Sequence, residues 1–410
     1  MLKKVRVFDL QVGMFIVDTG LSWLDHPYLY GTEGPLESED QVRAIRAEGY
    51  AEAFIETDKD LQGHDSLRLY DRDAVSKALA ESLVDQACQG RGNKNVSLAD
   101  EMPQAAQVHN RAVAAMRQVM EDVAKGQAIQ GQPCLDAGRE VAASVSRNRD
   151  ALVCLHLLSE EGDSYHIRHG VGVAVLAAAF GDSLGLTRNQ VSELTVAGLL
   201  HDVGKAFNPD ELLNKPGTLD PNEYNRLKRH PIESCSVVSG CMNLSGNVLR
   251  GIAEHHERHD GSGYPRGLKG SEQSFFGRIL AIADMFDALT QDRPYKERIL
   301  PDKAMSAMYA LRGRDFEPGL LERFIKCLGV YPVGCLVRLS TGEHALVSQS
   351  NPDTPLRPKV TVVFDQDMAP IHPVFLDLSG REGPAPARAT EITGVVDHRP
   401  HGVQASALLA

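Results

Sequence analysis

The sequence has no apolar run long enough to cross a membrane and no excess of basic residues. Its longest apolar stretch, Val171–Phe180, falls far short of the ~18 residues that a membrane span needs. Lys and Arg number 43 and Asp and Glu 55, which gives a formal net charge of −12. Proteins that coat duplex DNA or a membrane surface need a basic footprint, so this balance argues against both functions. A small anionic substrate stays compatible with it, because a metal or a few cations can reverse the field inside a cleft.

Cysteine is sparse, and its spacing offers neither a disulfide framework nor a thiolate zinc site. The chain has seven cysteines, an odd number, and no two of them form a Cys-x-x-Cys pair. They indicate reduced thiols in the cytoplasm. The two lysines near the N-terminus are not followed by an apolar stretch, so this segment does not predict a secretory signal. We therefore expect a cytoplasmic protein without a membrane span and without a nucleic-acid polymer as its partner.

The first 130 residues are predicted to form a small α+β domain followed by a linker helix. Hydrophobic residues make up 42% of the chain and charged residues 24%, which is typical of folded proteins, and 410 residues suggest two or three domains. A helix is expected over Ser38–Glu48 and the linker helix over Gln107–Ile129, whereas the polar stretch Arg91–Gln104 predicts a flexible linker. The predicted strands are Lys4–Phe8, Met14–Asp18 and Ala53–Thr57.

Residues 135–332 are predicted to form a bundle of helices, because apolar residues recur there at i, i+3 and i+4. The glycine-rich stretch His259–Ser274 interrupts them. Short strands predict a β-rich extension over residues 333–380, and the composition of residues 381–410 predicts a flexible tail. The fold class is therefore mainly α, with an α+β N-terminal domain and a β-rich extension. The predicted helices are Leu135–Leu158, His166–Leu184, Thr187–Val203, Asp220–Arg229, Pro231–Met242, Val248–His256, Phe275–Ala288 and Pro301–Ala310, and the predicted strands are Cys335–Leu339, His344–Ser348 and Lys359–Phe364.

Five histidines and two aspartates in the helical region are candidate metal ligands. Neighbouring residues of a helix point ~100° apart, so the adjacent pair His201-Asp202 can ligate two metals with the carboxylate as a bridge. A mixed nitrogen and oxygen set suits iron, manganese or another borderline divalent metal. A lone histidine on a helix, such as His156 or His166, is more often a core or surface residue. The candidates are His169, His201, Asp202, His230, His255, His256 and Asp284.

The residues that flank these candidates form a recognisable pattern. The segments are RHGVGVAVLAA around His169, LLHDVGK around His201, KRHP around His230, HHERHDGSGYP from His255, and IADMFDALTQDRPYK around Asp284. The stretch from about 135 to 332 resembles the HD-GYP domain, a group of the HD phosphohydrolase superfamily that hydrolyses cyclic di-GMP. DGSGYP is the signature that separates this group from other HD enzymes. The N-terminal VFDLQVGMFI resembles the uncharacterised domain that often precedes HD-GYP modules in bacteria, and YPVGCLVRLSTGE resembles their usual C-terminal extension.

The resemblance implies a binuclear metal centre. Some family members bind a third metal through a glutamate four residues before the first histidine, and Tyr165 occupies that position here. We therefore expect two divalent ions, iron or manganese, with Asp202 as their bridge. The implied ligands of the first metal are His169, His201, Asp202 and Asp284, and those of the second are Asp202, His230, His255 and His256.

The expected reaction is hydrolysis of cyclic di-GMP to pGpG, with further hydrolysis to GMP left open. A hydroxide between two metals would attack the phosphodiester, and Lys205 can neutralise a non-bridging phosphate oxygen. The resemblance implies that Arg293 and Lys296 contact the nucleotide. Gly263 and Tyr264 would shape the cleft and a surface for protein partners, because glycine has no Cβ to obstruct close approach. Glu257 and Asp287 are expected to orient ligands or to stabilise helices.

Two other functions stay open at this point. The chain could be an HD phosphohydrolase of another nucleotide, since metal ligands do not encode the substrate, although the GYP loop and Arg293 argue against it. It could also be a catalytically weak adaptor that binds cyclic di-GMP, although the intact ligand set argues against a dead site. The sequence decides neither the oligomeric state nor the signal that the N-terminal domain senses.

Overall fold

A computed structural model of the chain describes residues 2–17, 29–30, 33–47, 52–56, 96–158, 163–213, 215, 219–292, 298–351, 354–380 and 390–401. The predicted nucleotide contacts Arg293 and Lys296 lie outside these residues, and so do positions 91–95 of the predicted linker. In the part of the chain that the structure covers, none of the helices combines the length and apolar character that a bilayer crossing demands.

In its described residues, the N-terminal domain is a small five-stranded sheet packed against one helix. The strand Glu52–Glu56 lies inside this sheet, between Leu2–Arg6 and Phe15–Ile16, and pairs in parallel with Leu29–Tyr30. Helix α1 (Glu39–Ala47) begins after Ser38, whose hydroxyl accepts the Gln41 amide proton at 3.2 Å. The predicted amphipathic pattern is confirmed, since Val42 and Ile45 are buried. The strands are β1 (Leu2–Arg6), β2 (Phe15–Ile16), β3 (Leu29–Tyr30), β4 (Gly34–Pro35) and β5 (Glu52–Glu56).

The middle of the chain is a helical bundle around one largely buried helix. That helix, α4 (Tyr165–Ser183), is buried without interruption over residues 169–181, which explains why its sequence shows no polar face. The other helices are α2 (Leu98–Ala124), α3 (Gly131–Leu157), α5 (Arg188–Leu200), α6 (Asp210–Leu213), α7 (Pro221–Leu227), α8 (His230–Cys241), α9 (Gly246–Glu254), α10 (Phe275–Thr290), α11 (Pro301–Ala310) and α12 (Pro318–Leu328). The predicted helical bundle is confirmed, and helices α6 and α12 were not predicted.

Side-chain caps fix where the helices that carry functional residues begin. Thr187 and Gln190 form a reciprocal capping box before α5, and Asp220 and Glu223 form another before α7. Ser274 caps α10 by accepting the amide proton of Gly277 at 3.0 Å. These caps set the register of α5, α7 and α10 against their neighbours, and all three helices carry or adjoin the candidate ligands.

The linker prediction is wrong for the residues from position 98 onward, which belong to helix α2. Ser97 caps this helix by accepting the amide proton of Asp100. Asp100 and Gln104 are exposed, whereas the polar residue Glu101 is buried in a contact with α3. Glu101 is 1% exposed and accepts from Arg147 and from Ser144, each at 2.7 Å. A partner 46 residues away along the chain therefore decides the conformation of this stretch.

A five-stranded antiparallel sheet follows the bundle. Its strands are β6 (Leu336–Leu339), β7 (His344–Gln349), β8 (Lys359–Phe364), β9 (Pro370–Asp377) and β10 (Ile392–Val396), in the spatial order β10-β6-β7-β8-β9. The prediction of a flexible tail over residues 381–410 is wrong for strand β10, which pairs with β6 at the edge of the sheet. Its residue Ile392 is buried, so burial of apolar surface holds the strand in place.

Candidate metal centre

Helices α4, α5, α8, α9 and α10 bring all of the predicted metal ligands to one place in the bundle. Most of these side chains are buried, and that of His256 is partly exposed. Burial of so many imidazoles and carboxylates is costly unless they are paired or coordinate a metal. The residues are His169 in α4, His201 and Asp202 after α5, His230 at the start of α8, His255 and His256 after α9, and Asp284 in α10.

Three of the histidines are held in the same way by the backbone. The Nδ1 atoms of His201, His230 and His255 each lie 2.6–2.7 Å from the carbonyl oxygen three residues earlier in the chain. A carbonyl oxygen can only accept, so each Nδ1 carries the proton and donates it. Each Nε2 atom then faces the centre and is the atom of its ring that can act as a metal ligand.

The carboxylate of Asp202 lies between two pairs of histidines. Its Oδ2 atom is 3.4 Å from Nε2 of His201 and 3.6 Å from Nε2 of His169. Its Oδ1 atom is 3.2 Å from Nε2 of His230 and 3.7 Å from Nε2 of His255. Each oxygen thus faces a different pair of imidazoles, which is the arrangement that a bridging carboxylate requires.

Asp284 adds a second carboxylate to the pair formed by His169 and His201, which together make the first ligand group; His230, His255 and His256 make the second. Its Oδ1 atom lies 3.0 Å from Nε2 of His169 and 3.5 Å from Nε2 of His201. Its Oδ2 atom lies 4.0 Å from Nδ1 of His256, so the carboxylate spans the space between the two groups. Among the described residues, the side chains that form the centre offer nitrogen and oxygen donors.

Several of these donor atoms converge in the buried centre without a partner that satisfies them, and this is the observation that fits a cation. Among the described residues, Nε2 of His201 and Oδ1 of Asp202 are buried without a hydrogen-bond partner. Nε2 of His230 and Nε2 of His255 are 3.3 Å apart, although both of their protons are committed to Nδ1. Acceptors that converge in a buried site are stabilised by a cation, so the residues fit a metal centre.

The pKa values of the imidazoles differ between the two groups for a physical reason. Burial lowers the pKa of His255 to about 4, and repulsion from neighbouring histidines adds to this effect. Burial alone would also lower the pKa of His201, but the carboxylates of Asp202 and Asp284 outweigh it and raise this pKa to about 10. The group around His255 is thus neutral and ready to coordinate at pH 7, whereas a metal must displace a proton from His201.

Asp287 holds the ring of His169 from the side away from the centre. Its Oδ2 atom accepts from Nδ1 of His169 at 2.7 Å, and its Oδ1 atom accepts from Nε2 of His156 at 2.6 Å. Gly172 makes room for this pair, since a Cβ there would lie 2.1 Å from Oδ1 of Asp287. The expectation that Asp287 orients a ligand or stabilises a helix agrees with these contacts. Sequence reasoning missed the roles of His156 and Gly172.

Lys205 lies beside the carboxylate that faces both histidine pairs. Its Nζ atom is 2.5 Å from Oδ2 of Asp202, and its side chain is 18% exposed. The ammonium group is therefore at the mouth of the centre, where it can also reach an anionic group that approaches from solvent. Gly204 lets this turn pack against α8, since a Cβ there would lie 2.3 Å from the carbonyl oxygen of His230.

The glycine-rich loop places an aromatic ring on the centre. The ring of Tyr264 stacks on that of His256, with centroids 4.8 Å apart and planes inclined by 26°. Gly263 is needed because a Cβ would lie 2.4 Å from the amide nitrogen of Arg258. Glu257 accepts from the amides of Arg266 at 2.7 Å and of Leu268 at 2.9 Å, so its role is to hold this loop.

Tyr165, at the position of the third-metal glutamate, stacks on His169 instead. The two ring centroids are 5.3 Å apart and the planes are inclined by 8°. A phenol at this position covers the imidazole face and supplies no carboxylate to a third cation.

The chain matches known families over most of its length. A model of the HD domain matches residues 144–320, one of a domain of unknown function (DUF3391) matches residues 2–134, and one of a KOW domain associated with the HD domain matches residues 336–380. The chain is 36% identical over 384 residues to cyclic di-GMP phosphodiesterase PA4108 of Pseudomonas aeruginosa, an alignment that covers 93% of this chain and 90% of that protein.

Two further relatives match about a third of the chain each. The cyclic di-GMP phosphodiesterase response regulator RpfG of Xanthomonas campestris is 43% identical over 152 residues, which are 37% of this chain and 40% of that protein. The 3'3'-cGAMP-specific phosphodiesterase 1 of Vibrio cholerae is 40% identical over 144 residues, which are 35% of this chain and 33% of that protein.

Proposed function

The chain belongs to the HD-GYP group of the HD domain family, and on this basis we propose that it is a metal-dependent phosphodiesterase that hydrolyses cyclic di-GMP to pGpG. The observation that carries the proposal is the position of Asp202, whose two oxygens face two separate pairs of imidazole nitrogens. Alignment with a relative of that name over 90% of its length supports the same reaction.

We propose two metals per chain, iron or manganese. The donor set supports this choice, because imidazole and carboxylate together suit these ions better than Mg²⁺ or a thiolate zinc site. When bound, two such ions would activate water and polarise the phosphodiester for in-line displacement. The proposed ligands are His169, His201, Asp202 and Asp284 for one metal, and Asp202, His230, His255 and His256 for the other.

The remaining residues bind and orient the substrate in this proposal. The ammonium group of Lys205 neutralises a phosphate oxygen that enters the mouth of the centre. The ring of Tyr264, fixed against His256, offers an apolar wall to a base or ribose. Arg293 and Lys296 are proposed to contact the nucleotide, on the strength of their positions in the DRPYK motif.

The proposed domains follow the predicted boundaries, with residues 1–130 before the catalytic region, 135–332 as the catalytic bundle and 333–380 as the β-rich extension. Strand β10 lies in the last segment, 381–410, but pairs with β6, so we count it as part of the β-rich extension. The catalytic bundle contains every proposed ligand.

The second candidate function is hydrolysis of a different cyclic dinucleotide. The 40% identity to a 3'3'-cGAMP-specific phosphodiesterase over 144 residues favours this alternative over a binding adaptor. Both dinucleotides carry the same phosphodiester, so the metal ligands do not discriminate between them.

The test combines metal content with turnover in one preparation. The full chain is purified without oxygen, its iron and manganese are counted by elemental analysis, and turnover is measured on cyclic di-GMP and on 3'3'-cGAMP. We expect two metals per chain and a higher kcat/KM for cyclic di-GMP. One tight metal, or three, would contradict the binuclear centre, and a higher kcat/KM for 3'3'-cGAMP would select the second candidate.

A variant of the bridge tests the site itself. Asp202→Ala should lose both metals and all turnover, because it removes an oxygen from each ligand group. Asp136→Ala is the matched control, since Asp136 is a half-exposed partner of Arg139 in α3. Full activity with two metals in the Asp202 variant would refute the assignment.

A further inference from the structure

The N-terminal sheet contacts the helical bundle through one face of strand β5. Side chains of a strand alternate between its two faces. Ala53 and Ile55 pack within the N-terminal domain, whereas Phe54 is 2% exposed and joins the core of the helical bundle. Glu52 lies two residues before Phe54 and therefore on the same face, directed toward the bundle.

Glu52 forms an ion pair with Arg314, which follows helix α11. The Glu52 carboxylate accepts from the Arg314 guanidinium and also lies 3.4 Å from Nζ of Lys4 in strand β1. The side chains of Lys4, Glu52 and Arg314 are 16%, 18% and 27% exposed, so water screens these charges only in part. The contact joins strands β1 and β5 of one domain to the other domain.

Arg314 and its neighbour also hold the start of the glycine-rich loop. The carbonyl oxygens of Arg314 and Asp315 accept the amide protons of Asp260 at 2.8 Å and of His259 at 3.0 Å. The Arg314 guanidinium lies 3.9 Å from Oδ2 of Asp260, and Asp315 forms a 3.0 Å ion pair with Arg258. Residues 258–260 are thus fixed from the side that faces the N-terminal domain.

The other end of the same loop, at Tyr264, contacts His256 of the metal centre. Tyr264 follows Asp260 by four residues, donates its amide proton to the carbonyl oxygen of His256 at 3.1 Å, and stacks on the His256 ring. Contacts run without a gap from Glu52 through Arg314 and Asp260 to the loop that carries Tyr264.

We infer that Glu52 and Arg314 are positioning residues, through which the N-terminal domain sets the placement of the glycine-rich loop and hence the binding of substrate at the metal centre. This inference rests on the proposed function, in which Tyr264 borders the substrate. Neither residue touches a proposed metal ligand, so the pair should act on substrate binding and leave the metals in place.

The test is a double-mutant cycle in the full chain. Glu52→Gln, Arg314→Gln and the double variant are compared with Asp40→Asn, which breaks an ion pair between Asp40 and Arg43 on the exposed face of the same domain. We expect each single variant to raise KM for cyclic di-GMP roughly threefold to thirtyfold, with kcat and metal content unchanged, and the double variant to match the singles. Arg314→Lys should recover part of the loss, because it keeps the charge that pairs with Glu52.

Hydrogen exchange of the loop amides supplies a readout that does not depend on turnover. Amides of residues 259–268 should exchange faster in Glu52→Gln than in the wild type or in Asp40→Asn. Unchanged exchange and unchanged KM in both single variants would overturn the inference, and so would additive losses or a loss of metal. If the wild type does not hydrolyse cyclic di-GMP but loop exchange still rises in the variants, the coupling stands and the proposed function fails.

Discussion

The substitution Asp287→Asn tests whether a residue outside the ligand set holds the metal centre together. Asp287 is 0% exposed, and both of its carboxylate oxygens are used. One accepts from His169 and the other from His156, and the side-chain amide of Gln291 donates to both, at 2.8 and 2.9 Å. An asparagine has the same shape but only one accepting oxygen, and its NH₂ group cannot accept a proton.

The substitution therefore leaves one imidazole facing a donor. If that imidazole is His169, its proton must leave Nδ1, and the Nε2 atom that points at Asp202 and Asp284 loses its bare lone pair. Burial alone would raise the pKa of Asp287, but the charges and hydrogen bonds of His156 and His169 outweigh it and hold this pKa below its usual range. The carboxylate is thus ionised at neutral pH, and the substitution removes a charge as well as an acceptor.

The substitution should therefore lower both the metal affinity and the free energy of unfolding. Loss of a partner that orients a metal ligand typically costs about tenfold to a hundredfold in metal affinity, or ~1.4–2.7 kcal/mol. A buried donor left without an acceptor costs ~1–3 kcal/mol of the free energy of unfolding. The first effect appears when metal is titrated into the metal-free protein against a competing chelator, and the second in urea denaturation of the metal-free protein.

Asp136→Asn in α3 is the control, because Asp136 is half-exposed and far along the chain from the centre. It should change neither quantity by more than a few tenths of a kcal/mol. If Asp287→Asn binds metal within threefold of the wild type and unfolds at the same urea concentration, Asp287 does not hold His169, and the reasoning is wrong.

Three further predictions concern the surroundings of the same centre. Gly172→Ala should lower the free energy of unfolding by ~1–3 kcal/mol in urea, because the new Cβ meets Asp287, whereas Gly240→Ala, with no described atom within 4 Å of its new Cβ, should not. Burial and the charge of His156 lower the pKa of His109 to about 4. Below pH ~6.5 this histidine is therefore protonated in the unfolded chain but still neutral in the folded chain, so the free energy of unfolding falls as the pH falls. His109→Gln should remove about 2 kcal/mol of the loss between pH 7 and pH 5 in urea titrations, and an equal loss in both proteins would contradict this. Lys205→Gln should keep its metals and lose roughly tenfold to a hundredfold in kcat/KM, because it removes the charge beside Asp202. The control for steady-state kinetics is Lys125→Gln, since Lys125 is an exposed partner of Glu121 at the end of α2, and equal kcat/KM in both variants would refute the role of Lys205.

The residues of the candidate centre could be picked out from the sequence because they carry local motifs, although their role as metal ligands stays a proposal. LLHDVGK, KRHP and the paired histidines each identify a ligand by its neighbours, and the structure brings all of them together. The fact that each oxygen of Asp202 faces a different pair of histidines could not be predicted in this way. It depends on how the ends of three helices and the middle of two others meet, which no short segment encodes.

The errors have a common physical cause. Polar composition at positions 98–104 predicted a linker, and composition after position 380 predicted a flexible tail. In both places a distant partner decides the outcome. Glu101 is buried by Arg147, and strand β10 is held by strand β6. Local composition measures the preference of a segment alone and contains no information about such partners.

The position of each histidine within its helix explains what orients it. His201 and His255 follow the last turns of α5 and α9, and His230 follows the end of α7, where backbone carbonyls have no helical partner. A free carbonyl three residues earlier accepts each Nδ1 proton, so these rings need no side chain to orient them.

His169 lies inside α4, where the carbonyls are engaged in helical hydrogen bonds, and its Nδ1 proton needs an acceptor from another element. Helix α10 supplies it, because the i, i+3 spacing of Asp284 and Asp287 places one carboxylate at each nitrogen of the same ring, 3.0 Å from Nε2 and 2.7 Å from Nδ1. The second aspartate of IADMFDALTQ is therefore required by the interior position of the first histidine, and moving that histidine to a helix end would remove the requirement.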